Sequence, residues 1–113
     1  MPHVIIEYAD ALESQVSREN LLNTVHQTVE QSGLFNAIDI RTRTQSFDTF
    51  RLGVAQRNFL HITIKLLAGR TDEQKLMLTQ SVLQAVQSLS LTDVLVSCEC
   101  LDIHKASCQQ MTL

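Results

Sequence analysis

Tryptophan is absent from this chain, tyrosine and proline each occur once, and glycine occurs three times in 113 residues. So little glycine and proline excludes a collagen-like or low-complexity polymer and leaves an ordinary globular composition. No apolar stretch approaches the roughly 20 residues of a membrane span. No cationic leader precedes Pro2, so no export signal is read and the expected address is cytoplasmic. A run of Lys or Arg is missing too, and the net charge is −3, which gives no electrostatic footprint for nucleic acid. Cysteine is scarce: Cys98, Cys100 and Cys108 all fall late in the chain, and an odd count without an export signal argues against a disulfide framework. With His104 these thiols can be drawn as a metal site, but their spacing matches no zinc pattern. They read as free, partly buried thiols, and no metal is expected there.

What is present suffices for one domain, residues 1–113, able to bury a core without cross-links. His3 to Tyr8 is β-branched and apolar, as a buried strand should be. Ala9 to Val16 reads as a polar connection. Ser17 is a good N-cap for a helix whose Leu21, Leu22, Val25 and Val29 recur at helical spacing, and Gly33 stands where a left-handed C-cap belongs. His26 lies on the apolar side of that helix and reads as a packed residue rather than a catalyst. From Ala37 the period becomes two, with Ile38, Ile40, Thr42 and Thr44 opposing Asp39, Arg41, Arg43 and Gln45. Ser46 to Asn58 is irregular, yet Phe47, Phe50 and Leu52 are too apolar for a free loop. Phe59 to Leu67 is a second long apolar strand. Thr71-Asp72-Glu73-Gln74 is a capping box opening a helix through Leu76, Leu83, Val86 and Leu89. Val94 to His104 is the last strand, and Ala106 to Leu113 a polar tail.

The order is β-α-β-β-α-β, in two halves of about 1–57 and 58–113, with His3-Val4-Ile5-Ile6 echoed by His61-Ile62-Thr63-Ile64. Each half joins two strands through a helix long enough for a right-handed parallel crossover. Two such units side by side predict an α+β fold: a four-stranded mixed sheet with both helices on one face. The other face is then left bare, and a bare apolar sheet face in a small protein implies association between copies.

The start carries chemistry as well. Met-Pro permits removal of Met1, which leaves a secondary amine at Pro2. An α-amino group titrates at about 7.7–8.0, and neighbouring cations lower that value. A base near neutrality is what proton transfer at working pH requires. If Met1 stays, Pro2 is an amide without a basic lone pair. Arg41 and Arg43, on one strand face, are candidates for an anion site.

Several segments together carry a resemblance: Met-Pro-His-Val-Ile-Ile-Glu-Tyr at the start, Ser32-Gly33-Leu34-Phe35, Ile40-Arg41-Thr42-Arg43 and Phe47-Asp48-Thr49. His61-Ile62-Thr63-Ile64-Lys65 and Ala68-Gly69-Arg70 continue it. In this register the chain resembles the 5-carboxymethyl-2-hydroxymuconate isomerases of the tautomerase superfamily, over most of its length to about Leu89. The stretch between Asp48 and Phe59 is slightly shorter than in that family, and a long C-terminal extension is lacking. The resemblance implies a double β-α-β fold, a homotrimer, and an amino-terminal proline acting as general base without cofactor or metal. It implies isomerisation of an unsaturated, carboxylate-bearing 2-hydroxydienoate to its 2-oxo-enoate, in breakdown of 4-hydroxyphenylacetate through homoprotocatechuate. By position Pro2 matches the base, while Arg41 and Arg70 match arginines that bind the substrate; Arg43 is a further candidate. Guanidinium forks suit carboxylates because they bind two oxygens at once and stay charged. The partner so implied is a small carboxylate. Two other readings stand beside it: a tautomerase acting on a different 2-keto or 2-hydroxydienoate acid, and a non-catalytic trimeric ligand-binding protein of the same fold.

Overall fold

The computed structural model describes residues 1–53 and 57–113. Four strands form one sheet: β1 (His3–Ala9), β2 (Arg41–Phe47), β3 (Asn58–Leu67) and β4 (Val94–Ile103), in the order β2-β1-β3-β4. β1 is parallel to β2 and β3 to β4, and the antiparallel β1–β3 pair joins the two strand-helix-strand units. Parallel partners need a crossover, supplied by α1 (Arg18–Gln31) and α2 (Asp72–Gln87).

Both helices begin where the capping chemistry places them. The Ser17 hydroxyl accepts from the Asn20 amide at 3.1 Å. At α2, Thr71 Oγ1 accepts from the Gln74 amide at 3.2 Å while Gln74 Oε1 accepts from the Thr71 amide at 2.9 Å, which satisfies two orphan donors reciprocally. After α1, Gly33 takes φ +72, a left-handed conformation that costs glycine little.

One core lies between sheet and helices. Val4, Ile6 and Tyr8 of β1, with Leu60, Ile62, Ile64 and Leu66 of β3, face Leu21, Val25 and Val29 of α1 and Leu78, Val82 and Val86 of α2. Strand alternation and a four-residue helical step put these side chains on facing surfaces. His26 is packed as its position implied, its Nδ1 sharing a proton with Thr42 Oγ1 at 2.7 Å and tying α1 to β2.

Several sequence expectations are corrected. Asp10–Ser14 is a 3-10 turn rather than a polar connection throughout, and it buries Leu12. Ala37–Asp39 is also a 3-10 turn, so the period-two segment starts at Arg41 and Ile38 is 86% exposed. The buried stripe of α2 is Leu78, Val82 and Val86, whereas Leu76 is 59% exposed and Leu83 is also exposed. A helix rich in leucine on several sides leaves its inward face undecided until it docks. Of the irregular segment, Phe47 belongs to β2, and Phe47 and Phe50 pack on Phe59 at ring-centroid distances of 5.9 and 5.0 Å. Residues 54–56 of that segment lie outside the described residues. His3 opens β1, but His61 sits inside β3 rather than at its start.

The uncovered sheet face is not an apolar one. Across the strands the register lines up Arg41, His3, Lys65 and Leu101, then Arg43, Ile5, Thr63 and Glu99, then Gln45, Glu7, His61 and Ser97. Charged and hydrogen-bonding side chains dominate it. His61 Nε2 lies 2.7 Å from Glu99 Oε2 and its Nδ1 2.6 Å from Ser97 Oγ.

Candidate active site at the Pro2 end of the sheet

Pro2 is buried immediately before β1. Its carbonyl accepts from the Arg41 amide at 3.1 Å, which extends the parallel β1–β2 pairing by one bond and places Arg41 at the same end of the sheet. The exposed Arg41 guanidinium donates through Nη2 to Gln110 Oε1 at 3.1 Å. Arg43 lies two residues on, with Nη1 3.1 Å from His3 Nδ1. The pKa of His3 is lowered from its ordinary 6.5 by burial first, and then by the cationic fields of Arg43, Arg41 and Lys65. A group beside Pro2 therefore already senses a field that disfavours protonation.

Arg70 is at this end of the sheet too, just beyond β3, whose Lys65 pairs with His3. Its guanidinium is turned toward the end of α1. Nη2 donates to the Leu34 carbonyl at 2.8 Å, Nη1 reaches the Leu67 carbonyl at 3.5 Å, and the cation lies 4.8 Å from the Phe35 ring centroid. Arg41 and Pro2 are thus directly bonded, whereas Arg70 is held by Leu34, Leu67 and Phe35. A guanidinium carries five donors, so those contacts do not exhaust it.

The tail supplies residues that sequence reasoning did not assign to the site. A short 3-10 turn, Lys105–Ser107, follows β4. The chain then runs back so that Cys108 Sγ lies 3.9 Å from Met1 Sδ and Gln110 meets Arg41. Met1, Asp39, Leu67, Lys105, Cys108 and Gln110 line a cavity of about 360 Å³. A polar tail read strand by strand gives no sign of where it turns, so only its composition was visible in advance.

The remaining cysteines face the helix side. Burial first, then the neighbouring Cys100 and Glu99, pushes the Cys98 thiol up to about 12. Burial also raises Cys100, whose Sγ lies 3.8 Å from the Lys75 carbonyl. Among the described residues no group of three or more His, Cys, Asp or Glu side chains is placed to hold a metal ion. No helix among them is long and apolar enough to cross a membrane.

A double β-α-β sheet carrying both helices on one face, with proline at the head of the first strand, is the tautomerase-like fold. The model of the 5-carboxymethyl-2-hydroxymuconate isomerase family matches residues 2–99, from Pro2 well into β4, and the chain belongs to that family. It is 31% identical over 77 residues to 5-carboxymethyl-2-hydroxymuconate Delta-isomerase of Escherichia coli, covering 66% of this chain and 61% of that protein. The aligned part thus spans about three-fifths of the relative's length. A 5-carboxymethyl-2-hydroxymuconate isomerase from Deinococcus radiodurans R1 superposes with a TM-score of 0.83 at 20% identity, over 99% of this chain and 90% of that one. A fused 4-OT wild type symmetric trimer superposes with a TM-score of 0.71 at 22% identity, over 89% and 86% of the two chains. These two likenesses concern the fold.

Proposed function

We propose that this chain, once Met1 is removed, is a cofactor-independent isomerase that converts an unsaturated 2-hydroxydienoate carrying several carboxylates to its 2-oxo-enoate. The substrate would be of the 5-carboxymethyl-2-hydroxymuconate type, met in aromatic catabolism in the cytoplasm. The observation that carries the reading is the setting of Pro2. It is buried, locked to β2 through the Arg41 amide, and joined to a Met1 that lines the cavity. Without Met1, the secondary amine opens into that space.

The neutral amine takes the proton of the 2-hydroxyl, and the resulting dienolate is stabilised by the guanidinium of Arg41. The prolinium then returns the proton to the carbon at the far end of the dienolate from the 2-oxygen, leaving the 2-oxo group and restoring the base. Nothing is oxidised or reduced, so no cofactor is called for. Burial and the cations that lower His3 also hold the amine toward its neutral form at working pH. Fixing the amine beside the bound substrate supplies the proximity term, and the guanidinium the electrostatic one. Arg70 is the second carboxylate contact in this reading, and Arg43 a contributor through His3.

We further propose a homotrimer. Its support is the likeness to a symmetric trimer and the uncovered sheet face, whose buried Thr63 and polar rows suit a specific interface more than open solvent. Sedimentation as a stable monomer at micromolar concentration would count against it.

Ketonisation of the dienol, followed by ultraviolet absorbance on protein whose N-terminus is verified by mass, tests the activity. A related tautomerase reaction on another 2-keto or 2-hydroxydienoate acid uses the same base, and a panel of such acids separates the two. The internal engagement of Arg70 favours the remaining alternative, a trimeric ligand-binding protein. Absence of turnover across the whole panel with the amine free would support it.

A further inference from the structure

The C-terminal tail crosses the end of the sheet at which Pro2 lies. β4 ends at Ile103, paired with Leu67 of β3, and the Ala68 amide donates to the Ile103 carbonyl at 3.3 Å. Continuing the β1–β3 register from His3–Lys65 brings Leu67 beside Met1. The turn at Lys105–Ser107, held by His104 Nδ1 and Ser107 Oγ at 2.8 Å, sends the tail back over these positions. Cys108 reaches Met1 over β1, and Gln110 reaches Arg41 on the edge strand β2. The tail therefore passes all four strand ends and, through Lys105, Cys108 and Gln110, lines the cavity that Met1 also borders.

That cavity has one cationic side chain in its lining and a second beside it. Arg41 adjoins it through Gln110, whose uncharged carbonyl accepts from the guanidinium and leaves its charge unspent. Lys105 lines the cavity itself. Asp39 is the acid among the lining residues and offsets one of these two charges, leaving the other in excess. Arg70, the other guanidinium at this end, is turned away onto Leu34 and Phe35. Lys105 thus offers a cation for a further carboxylate of the substrate, beyond those assigned above to Arg41 and Arg70.

We propose that Lys105 is a specificity-determining residue that binds the remote carboxylate of the substrate, with Gln110 as the tether that holds the tail over the site. The proposal rests on the isomerase reading given above. It makes the tail, rather than the sheet alone, the part of the pocket that selects polycarboxylates over monocarboxylates.

The test uses full-length protein lacking Met1 and two readouts. In calorimetry, unreactive adipate and hexanoate serve as probes with two and one carboxylates. Wild type should bind adipate more tightly, and Lys105→Gln should remove about two- to fivefold of that preference, a modest factor because Lys105 is exposed. Lys105→Arg should restore most of it. In the ultraviolet assay the same variant should raise KM for the polycarboxylate dienol, with kcat and the monocarboxylate 2-hydroxypenta-2,4-dienoate little changed. Equal binding of the two probes by wild type, or equal loss of both in Lys105→Gln, overturns the role of Lys105. Absence of turnover with a Lys105-dependent adipate preference intact would instead overturn the isomerase reading and leave the dicarboxylate site standing.

Discussion

The amide of Arg41 donates to the carbonyl of Pro2 at 3.1 Å, so the proposed base and the proposed carboxylate-binding arginine share one backbone hydrogen bond. Strand pairing sets their separation, and flexible side chains have little say in it. A change that shifts the register of β1 against β2 would move both together.

The state of the N-terminus should decide activity. Protein beginning at Pro2 should catalyse dienol ketonisation with a rate that rises with pH through a transition below the ordinary α-amino range of about 7.7–8.0. Pro2→Ala should retain part of the activity through its primary amine. A form keeping an extra residue ahead of Pro2 should lose nearly all of it. Full activity in that blocked form, verified by mass, would transfer the role of base to His3 or His61.

Arg41 and Arg70 should separate in their effects. Arg70→Ala strips a charged donor from the Leu34 carbonyl and a cation from Phe35, and should lower stability by about 1.5–3 kcal/mol in urea unfolding. Arg70→Lys should recover part, since the fork is lost. Exposed Arg41→Ala should leave stability within about 0.5 kcal/mol while raising KM. An Arg70→Ala protein as stable as wild type would show that its internal contacts contribute nothing net.

Leucines on α2 should differ by face. Leu78→Ala empties a site that is 2% exposed and should cost about 2–5 kcal/mol. Leu76→Ala, at 59% exposure, should stay within about 0.5 kcal/mol. Comparable losses at the two positions would mean that α2 is rotated from the orientation described.

Acid should weaken the fold through His3. Its folded pKa lies below the ordinary 6.5, so the unfolded chain takes up the proton first as pH falls. Its stabilising contribution is present above that ordinary value and is lost as pH drops through the folded value. His3→Gln should therefore flatten part of the decline in the urea midpoint on acidification. An unchanged slope would assign that decline to other groups.

Thiol chemistry should rank by environment. With its thiol pushed up to about 12, Cys98 stays protonated at mildly alkaline pH and should be the slowest of the three to alkylate in native protein. Mass mapping after brief iodoacetamide treatment reads this directly. Labelling of Cys98 ahead of Cys108 would contradict the packing of β4 against the helix layer.

By itself the sequence determined the order of elements, the caps at Ser17, Thr71 and Gly33, and the apolar faces of β1 and β3. These depend on neighbours within a few residues: a hydroxyl and the amides three positions on, a glycine where φ turns positive, side chains alternating across a pleat. The family likeness at Pro2, Arg41 and Arg70 was also legible, because it lies in short local strings. Tertiary structure decided which leucines of α2 point inward, since that depends on the surface they meet rather than on their own spacing. It also decided that the open sheet face is polar, because rows such as Arg43, Ile5, Thr63 and Glu99 form only when four separate strands take their register. The turning of Arg70 onto Leu34, and the passage of Gln110 to Arg41, join residues 36 and 69 positions apart. Contacts at such separation are set by chain reversal and packing, which no local pattern encodes.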